Sequence, residues 1–204
     1  MISSEFISEI RRGVDNRQIR IAALIVFIFL GAFGAWYGYR LYKDTQRQEA
    51  QLAFSSAMDD FYKAQAGRVA WEDVTVVADV AYHRHSQAWT APYLLGVEAY
   101  ALEQNGKIDE AIKIWEKIVQ LIDHSNPFWY IFSTKKAVVK TQSSSDEIKK
   151  EGVEELQALG RDEKNIYRDQ ALYYWGLFEK KAWVMLAEQF GQTDSPWVAL
   201  IHTR

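Results

Sequence analysis

His83-Arg84-His85 is the fragment of this 204-residue sequence that looks most like a metal site. On a helix, positions i and i+2 point about 200° apart, so two such imidazoles do not chelate one ion from one face. Solvated or helix-end histidines are the simpler reading. Asp59-Asp60 and Glu154-Glu155 are adjacent carboxylates. Acid–base work by such a pair requires burial, and a solvated helix face is the ordinary alternative. Lys135, Lys136, Lys140, Lys149 and Lys150 gather around one inter-helix loop. They read either as solvated surface or as a docking patch for an acidic partner or a lipid headgroup. The sequence holds no Walker motif, no G-x-S-x-G and no H-E-x-x-H. It also lacks cysteine, and with it thiol nucleophiles, disulfides and Cys-ligated zinc. The expectation is a protein that is not an enzyme and carries no cofactor or metal. A net charge of −3 argues against nucleic acid as a partner.

The remaining chemistry is recognition by aromatic side chains, supplied by 8 Trp, 11 Tyr and 10 Phe. Trp115, Trp175 and Phe178 fall in helical stripes and are expected in the core. Trp71, Trp89, Trp129, Trp183 and Trp197 lie at helix starts or linkers, where tryptophan also serves as a binding anchor. Phe128-Trp129-Tyr130 and Tyr173-Tyr174-Trp175 put bulky rings on successive positions. Successive helix positions do not share one face, so some of these rings must reach the surface or another helix. Trp129, Tyr130, Tyr173, Trp183 and Trp197 are the candidate partner-binding residues.

The elements that must position these rings begin with an apolar run. Residues 21–39 contain no charge and are closed by Arg20 and Arg40. As a helix the run spans about 28 Å, close to the ~30 Å hydrocarbon core of a bilayer. Trp36, Tyr37, Tyr39 and Tyr42 cluster at its C-terminal end, as an aromatic belt would. A cleaved signal peptide would have a short basic start, whereas Glu5, Glu9 and Asp15 precede this run. A core helix apolar on every face is the other alternative. Arg11, Arg12, Arg17 and Arg20 before the run, against Arg40, Lys43 and Arg47 after it, favour a cytoplasmic N-terminus. The expected layout is a short cytoplasmic tail at 1–20, a transmembrane helix at 21–41 and a helical domain at 42–204. Gly34 and Gly38 form a G-x-x-x-G, with Gly31 and Ala35 beside it. Small residues at that spacing let a second helix approach, which would permit a homo-oligomer through the membrane helix.

From about residue 45 the pattern is helical. Ala50, Ala53, Phe54, Ala57, Met58, Phe61 and Tyr62 form one stripe, and Gly67 ends it. Val74, Val77, Val80 and Ala81 share a face of the next segment, 71–86. Pro92 suits the first turn of a third helix ending at Asn105-Gly106. Ile108, Ala111, Ile112, Trp115, Ile118, Val119 and Ile122 stripe the fourth. Further helices are expected at about 127–141, 146–159 (ended by Gly160), 165–179, from Lys181 to Gly191, and after Pro196. Gly106 and Ala111 give the G-x-x-x-x-A that joins the two helices of a tetratricopeptide unit. Leu95, Ala99 and Leu102 fall on its large–small–large positions, and Trp115 on its aromatic one. The fold class is therefore all-α: an N-terminal transmembrane helix followed by a tetratricopeptide-like array.

This order of features resembles the ancillary SecYEG translocon subunit family. The tail and apolar run, the exit Trp36-Tyr37-Gly38-Tyr39-Arg40, the alanine-rich stretch from Ala50 to Ala64 and the unit from Tyr93 to Ala111 carry the resemblance. The resemblance implies a bacterial inner-membrane protein, single-pass, with a periplasmic domain. It further implies a role beside the export channel, with channel subunits and periplasmic chaperones or clients as partners. The alternative is a fixed structural or assembly subunit of a larger envelope complex, such as a secretion system or motor.

Overall fold

The computed structural model describes residues 16–201, apart from the side chains of 16–20, 22 and 23. The tail 1–15, with Arg11 and Arg12, and His202 lie outside the described residues, as do the side chains of Arg17 and Arg20. Among the described residues the chain is all-α. It divides into two compact units, one ending at Glu49 and one beginning at Ala50.

Helix α1, Asn16–Gln65, belongs to both units. Two successive helices are expected from the sequence, but one continuous helix is found. No glycine or proline stands between Gly38 and Gly67, so nothing breaks the hydrogen-bond ladder. In the first unit Ile21, Leu24, Phe27, Phe29, Leu30 and Phe33 are all exposed. No residue of the apolar window is buried. This helix is long and apolar enough to cross a membrane. At the end of the run Arg40 lies over the Trp36 ring at 5.6 Å and Lys43 over Tyr39 at 5.2 Å. Each pair is spaced i, i+4, so that cations and rings share one face. Gly31, Gly34 and Gly38 have open space around them.

The second unit starts with the C-terminal turns of α1. Ala50, Ala57 and Ala64 are buried, while Tyr62 points outward from the expected stripe. Helices α2 (Trp71–Arg84), α3 (Ala91–Gln104) and α4 (Ile108–Leu121) follow. Phe61 contacts both Trp71 and Tyr100, with ring centroids at 5.5 and 5.1 Å, locking α1 to α2 and α3. On α2 the buried face is Val74, Ala78, Ala81 and Tyr82; Val80 lies outside it and is 52% exposed. Helix α3 is surrounded. Leu94, Leu95, Val97, Ala99, Ala101 and Leu102 are all buried. Gly106 takes φ +73°, the left-handed conformation that turns the chain directly from α3 into α4. All five paired-helix positions, Leu95, Ala99, Leu102, Ala111 and Trp115, are buried. The Trp115 indole donates to Glu103 Oε1 at 2.8 Å, and Lys135 donates to Glu103 Oε2 at 2.8 Å. One carboxylate thereby ties α3 to α4 and to α5.

Helices α5 (Phe128–Lys140), α6 (Asp146–Arg161), α7 (Arg168–Gly176), α8 (Lys181–Phe190) and α9 (Pro196–Ile201) complete the unit. Each of α2 to α8 packs on the next, and α9 packs on α7 and α8. The Ser145 hydroxyl caps α6 by accepting from the Ile148 N–H. Gly160 does not end that helix. It stays helical and buried, packed so closely that a Cβ there would stand 3.1 Å from the Leu172 side chain. Phe178 is not core. Helix α7 stops at Gly176, two residues earlier, and the ring is 51% exposed. The buried side chains form two clusters that meet on α5. Val139 belongs to the cluster of α1–α4, and Ala137 to that of α6–α9.

Lys140, on the last turn of α5, sits at this seam with its side chain 4% exposed. Its ammonium meets Glu116 of α4 at 3.1 Å, and Glu151 and Glu155 of α6 at 2.8 and 2.9 Å. Burial alone would lower its pKa, but the three carboxylates outweigh burial and raise it. The raised value keeps this contribution to stability complete at neutral pH and lost only as pH rises past the ordinary lysine range. Directly opposite, Gly152 brings α6 against α5; a Cβ there would lie 2.7 Å from the Ala137 carbonyl oxygen.

Two substitutions test the seam. Lys140→Ala strands three carboxylates, two of them well exposed, so the loss should fall near the lower end of the range for broken buried pairs, about 3 kcal/mol. Gly152→Ala forces α5 and α6 apart and should cost about 1–3 kcal/mol, despite alanine's better helix propensity. Thermal unfolding of the full chain in detergent checks both. An unchanged Tm for either would show that the seam does not carry the packing.

Candidate protein-interaction site

The five candidate aromatics fall into two groups. Trp129 and Tyr130 occupy the first turn of α5. Tyr173, Trp183 and Trp197 come together through α7, α8 and α9.

The second group is structural. Tyr173 is 7% exposed, so its ring is core and not surface. Its centroid lies 5.2 Å from that of Trp197, which also contacts Tyr174. The Trp183 indole donates to the Tyr173 carbonyl at 3.0 Å and lies across Gly176, where a Cβ would fall 1.9 Å from the ring. Trp183 and Trp197 are half-buried, with their rings turned inward to these contacts. Adjacent rings on α7 are thus accommodated by the two short helices that follow, the second of the two outcomes that the spacing allows.

Of the first group, Trp129 lines a cleft. His124, Trp129, Ser133 and Lys136 form one wall, and Glu155, Ala158, Leu159 and Asp162 of the α6 end form the other. The volume is about 260 Å³. Asn126 positions this turn, its side chain accepting from the Phe128 N–H at 3.0 Å. His124 then stacks on Trp129 with centroids 3.6 Å apart. The Tyr130 hydroxyl donates to Asp162 Oδ2 at 2.9 Å, bridging α5 to the end of α6. Asp162 is held below the usual carboxylate range, first by the Lys164 N–H and then by Tyr130. Ser133 Oγ, deeper in the cleft, is buried without a hydrogen-bond partner. The cleft therefore combines an aromatic wall, an unpartnered hydroxyl and ionic groups at its rim.

The remaining chemical candidates are accounted for locally. Lys63 binds both Asp59 and Asp60. Lys150 pairs with Glu154, Lys149 with Asp146, Lys136 with Glu155 and Lys135 with Glu103. With Lys140 in the seam, every member of the lysine cluster has an internal carboxylate partner. His83 is exposed beside Asp79, whereas His85 is buried at the end of α2, so the two do not face one another. Among the described residues no group of His, Cys, Asp or Glu is arranged to hold a metal ion.

Sequence reasoning missed Glu98. It lies one helical turn from Leu94 and from Leu102, both buried, and is itself 7% exposed. That spacing, an acid on a continuous apolar stripe, was the available signal. Glu98 sits in a groove formed by Thr75, Val76 and Asp79 of α2, Leu102 of α3, and Glu110, Lys113 and Ile114 of α4. Its Oε2 has no hydrogen-bond partner. Burial first, and then the Asp79 charge, push its pKa up to about 7, with Lys117 pulling the other way.

Compared with family models, with curated proteins and with solved structures, the chain finds no match.

The Glu98 pKa makes a stability prediction. An acid whose pKa is raised on folding is most favourable when protonated. The Glu98 contribution to stability should therefore be complete below about pH 4.5, fall as pH rises to about 7, and level off above. The drop should be about 2–3 kcal/mol, the lower figure allowing for solvent screening at the groove mouth. Glu98→Gln should flatten this dependence and stabilise the chain at pH 8. Urea denaturation at pH 5 and pH 8, read by tryptophan fluorescence, checks it; parallel profiles for the two proteins would exclude Glu98 as the titrating group.

Proposed function

We propose that this protein is a single-pass membrane protein whose helical domain binds other proteins at the membrane surface. The observation that carries the reading is the uncovered apolar surface of α1, from Leu24 through Tyr39, joined to a domain of sequentially packed helices. Each large apolar side chain left in water forgoes about 1.5–3 kcal/mol, which supports lipid as the surroundings of a surface of this size. Anchoring confines the domain near one membrane face and raises its effective concentration toward partners there. The aromatic cleft at Trp129 is the contact surface.

In this reading the protein lies in a bacterial inner membrane with its N-terminus cytoplasmic and its domain periplasmic. It works beside the export channel, with channel subunits and periplasmic chaperones or clients as partners. The support is the resemblance to ancillary SecYEG translocon subunits and the arginines that precede the apolar run. One observation favours the second reading, a fixed subunit of a larger envelope complex. Gly31, Gly34 and Gly38 leave α1 open to close approach by another helix.

The test is crosslinking in cells followed by purification of the full chain in mild detergent and mass spectrometry. Channel subunits and periplasmic chaperones should be recovered with the wild type, and about tenfold less with Trp129→Ala. Stoichiometric recovery of one other envelope machine, insensitive to Trp129→Ala, would replace this reading with that of a fixed subunit.

A further inference from the structure

The α2–α4 groove has the chemistry of a receptor for a single cationic side chain. Three carboxylates face it, Asp79 from α2, Glu98 from α3 and Glu110 from α4, against Lys113. A second nearby cation, Lys117, is held over the Tyr82 ring at 4.1 Å. Helices α1 and α5 meet α3 elsewhere, at Tyr93, Tyr100 and Glu103. Charge alone does not make a site. The independent observation is the unpartnered, buried Oε2 of Glu98 at the floor, an acceptor withdrawn from water without a donor to satisfy it.

We propose that this groove binds an arginine side chain from a segment of a partner protein. Val76, Leu102 and Ile114 offer apolar walls to the methylene stem. A planar guanidinium carries five donors, enough to meet Glu98 and Asp79 together, and it leaves water more readily than an ammonium. The groove, about 420 Å³, has the volume of a small-ligand pocket and leaves room for residues flanking the arginine. Val76 and Val80, exposed one turn apart on α2, extend the apolar surface beyond the rim. Among the described residues the carboxylates do not converge as a metal site, which favours a spread, multi-donor cation over an ion. The proposal does not depend on which partner the aromatic cleft takes.

The test uses the full chain in detergent micelles and a fluorescent heptapeptide with one central arginine between two leucines, titrated by anisotropy. A matched peptide with citrulline keeps the size and planarity of the group but replaces the charged end by a neutral urea with fewer donors. The arginine peptide should bind at least tenfold more tightly at pH 7.5. Glu98→Gln should abolish that preference, and Asp79→Asn should weaken it severalfold. Binding requires ionised Glu98, so affinity should fall toward tenfold per pH unit below 7. Circular dichroism verifies folding; if Glu98→Gln fails to fold, Asp79→Asn and the pH series decide. Equal binding of the two peptides, no binding of either, full preference in a folded Glu98→Gln, or displacement by millimolar calcium would each overturn the proposal.

Discussion

The Lys140 ammonium is the constraint on which the domain's organisation rests. Apolar packing alone gives two clusters, one built on α1–α4 and one on α6–α9. Helix α5 serves both, and two clusters sharing one thin helix would be free to slide. The lysine removes that freedom because its partners come from α4 and from α6, each within 3.1 Å. A buried charge is costly unless its donors are satisfied, so the geometry that satisfies all three fixes the register of three helices at once. Gly152 belongs to the same constraint, since only a glycine lets α6 come close enough for Glu151 and Glu155 to reach across.

Lys140 and Glu98 are opposite solutions to one problem. Both are charged groups on helices, and both are nearly withdrawn from water. Lys140 has a carboxylate for each of its three donors, and its charge is reinforced. Glu98 faces another carboxylate, has an unpaired oxygen, and gives up its charge near neutral pH. A fold gains nothing structural from the second arrangement, because an apolar residue would pack there without penalty. That asymmetry separates a residue that holds the architecture from one that the described residues leave unsatisfied.

Most of the architecture was legible because helix periodicity, glycine stops and proline starts act locally. The α3–α4 pair was clearest: each assigned packing position is buried, and Gly106 turns the chain where expected. The failures have a common cause. Gly160 reads as a stop and Tyr173 as a surface ring only if each helix is considered by itself. Contacts between helices decide both, with Leu172 pressing on Gly160 and the short helices α8 and α9 closing over Tyr173. Phe178 failed for the complementary reason, since the period that placed it inward ends before it. Of the candidate aromatics, Trp129 alone combines partial exposure with a cleft, and no sequence pattern distinguishes it from Trp183. Both begin a helix, and only the partner ring or backbone supplied from elsewhere tells them apart.

Helix α1 shows that a change in surface pattern need not be a boundary in secondary structure. Through residues 21–39 every face is apolar. From Arg40 to Glu49 the sequence turns polar, with Lys43, Asp44, Arg47 and Glu49 on its surface. From Ala50 one alanine-rich stripe is buried and the other faces are wet. The first pattern has the length and composition a membrane span needs and the last is that of a helix packed on a protein core, yet the backbone needs only the ladder common to all three. Arg40 and Lys43, each over an aromatic ring one turn back, mark the passage from the first to the second. The composition therefore changes along α1 while the helix continues, because no residue in that stretch gives it reason to stop.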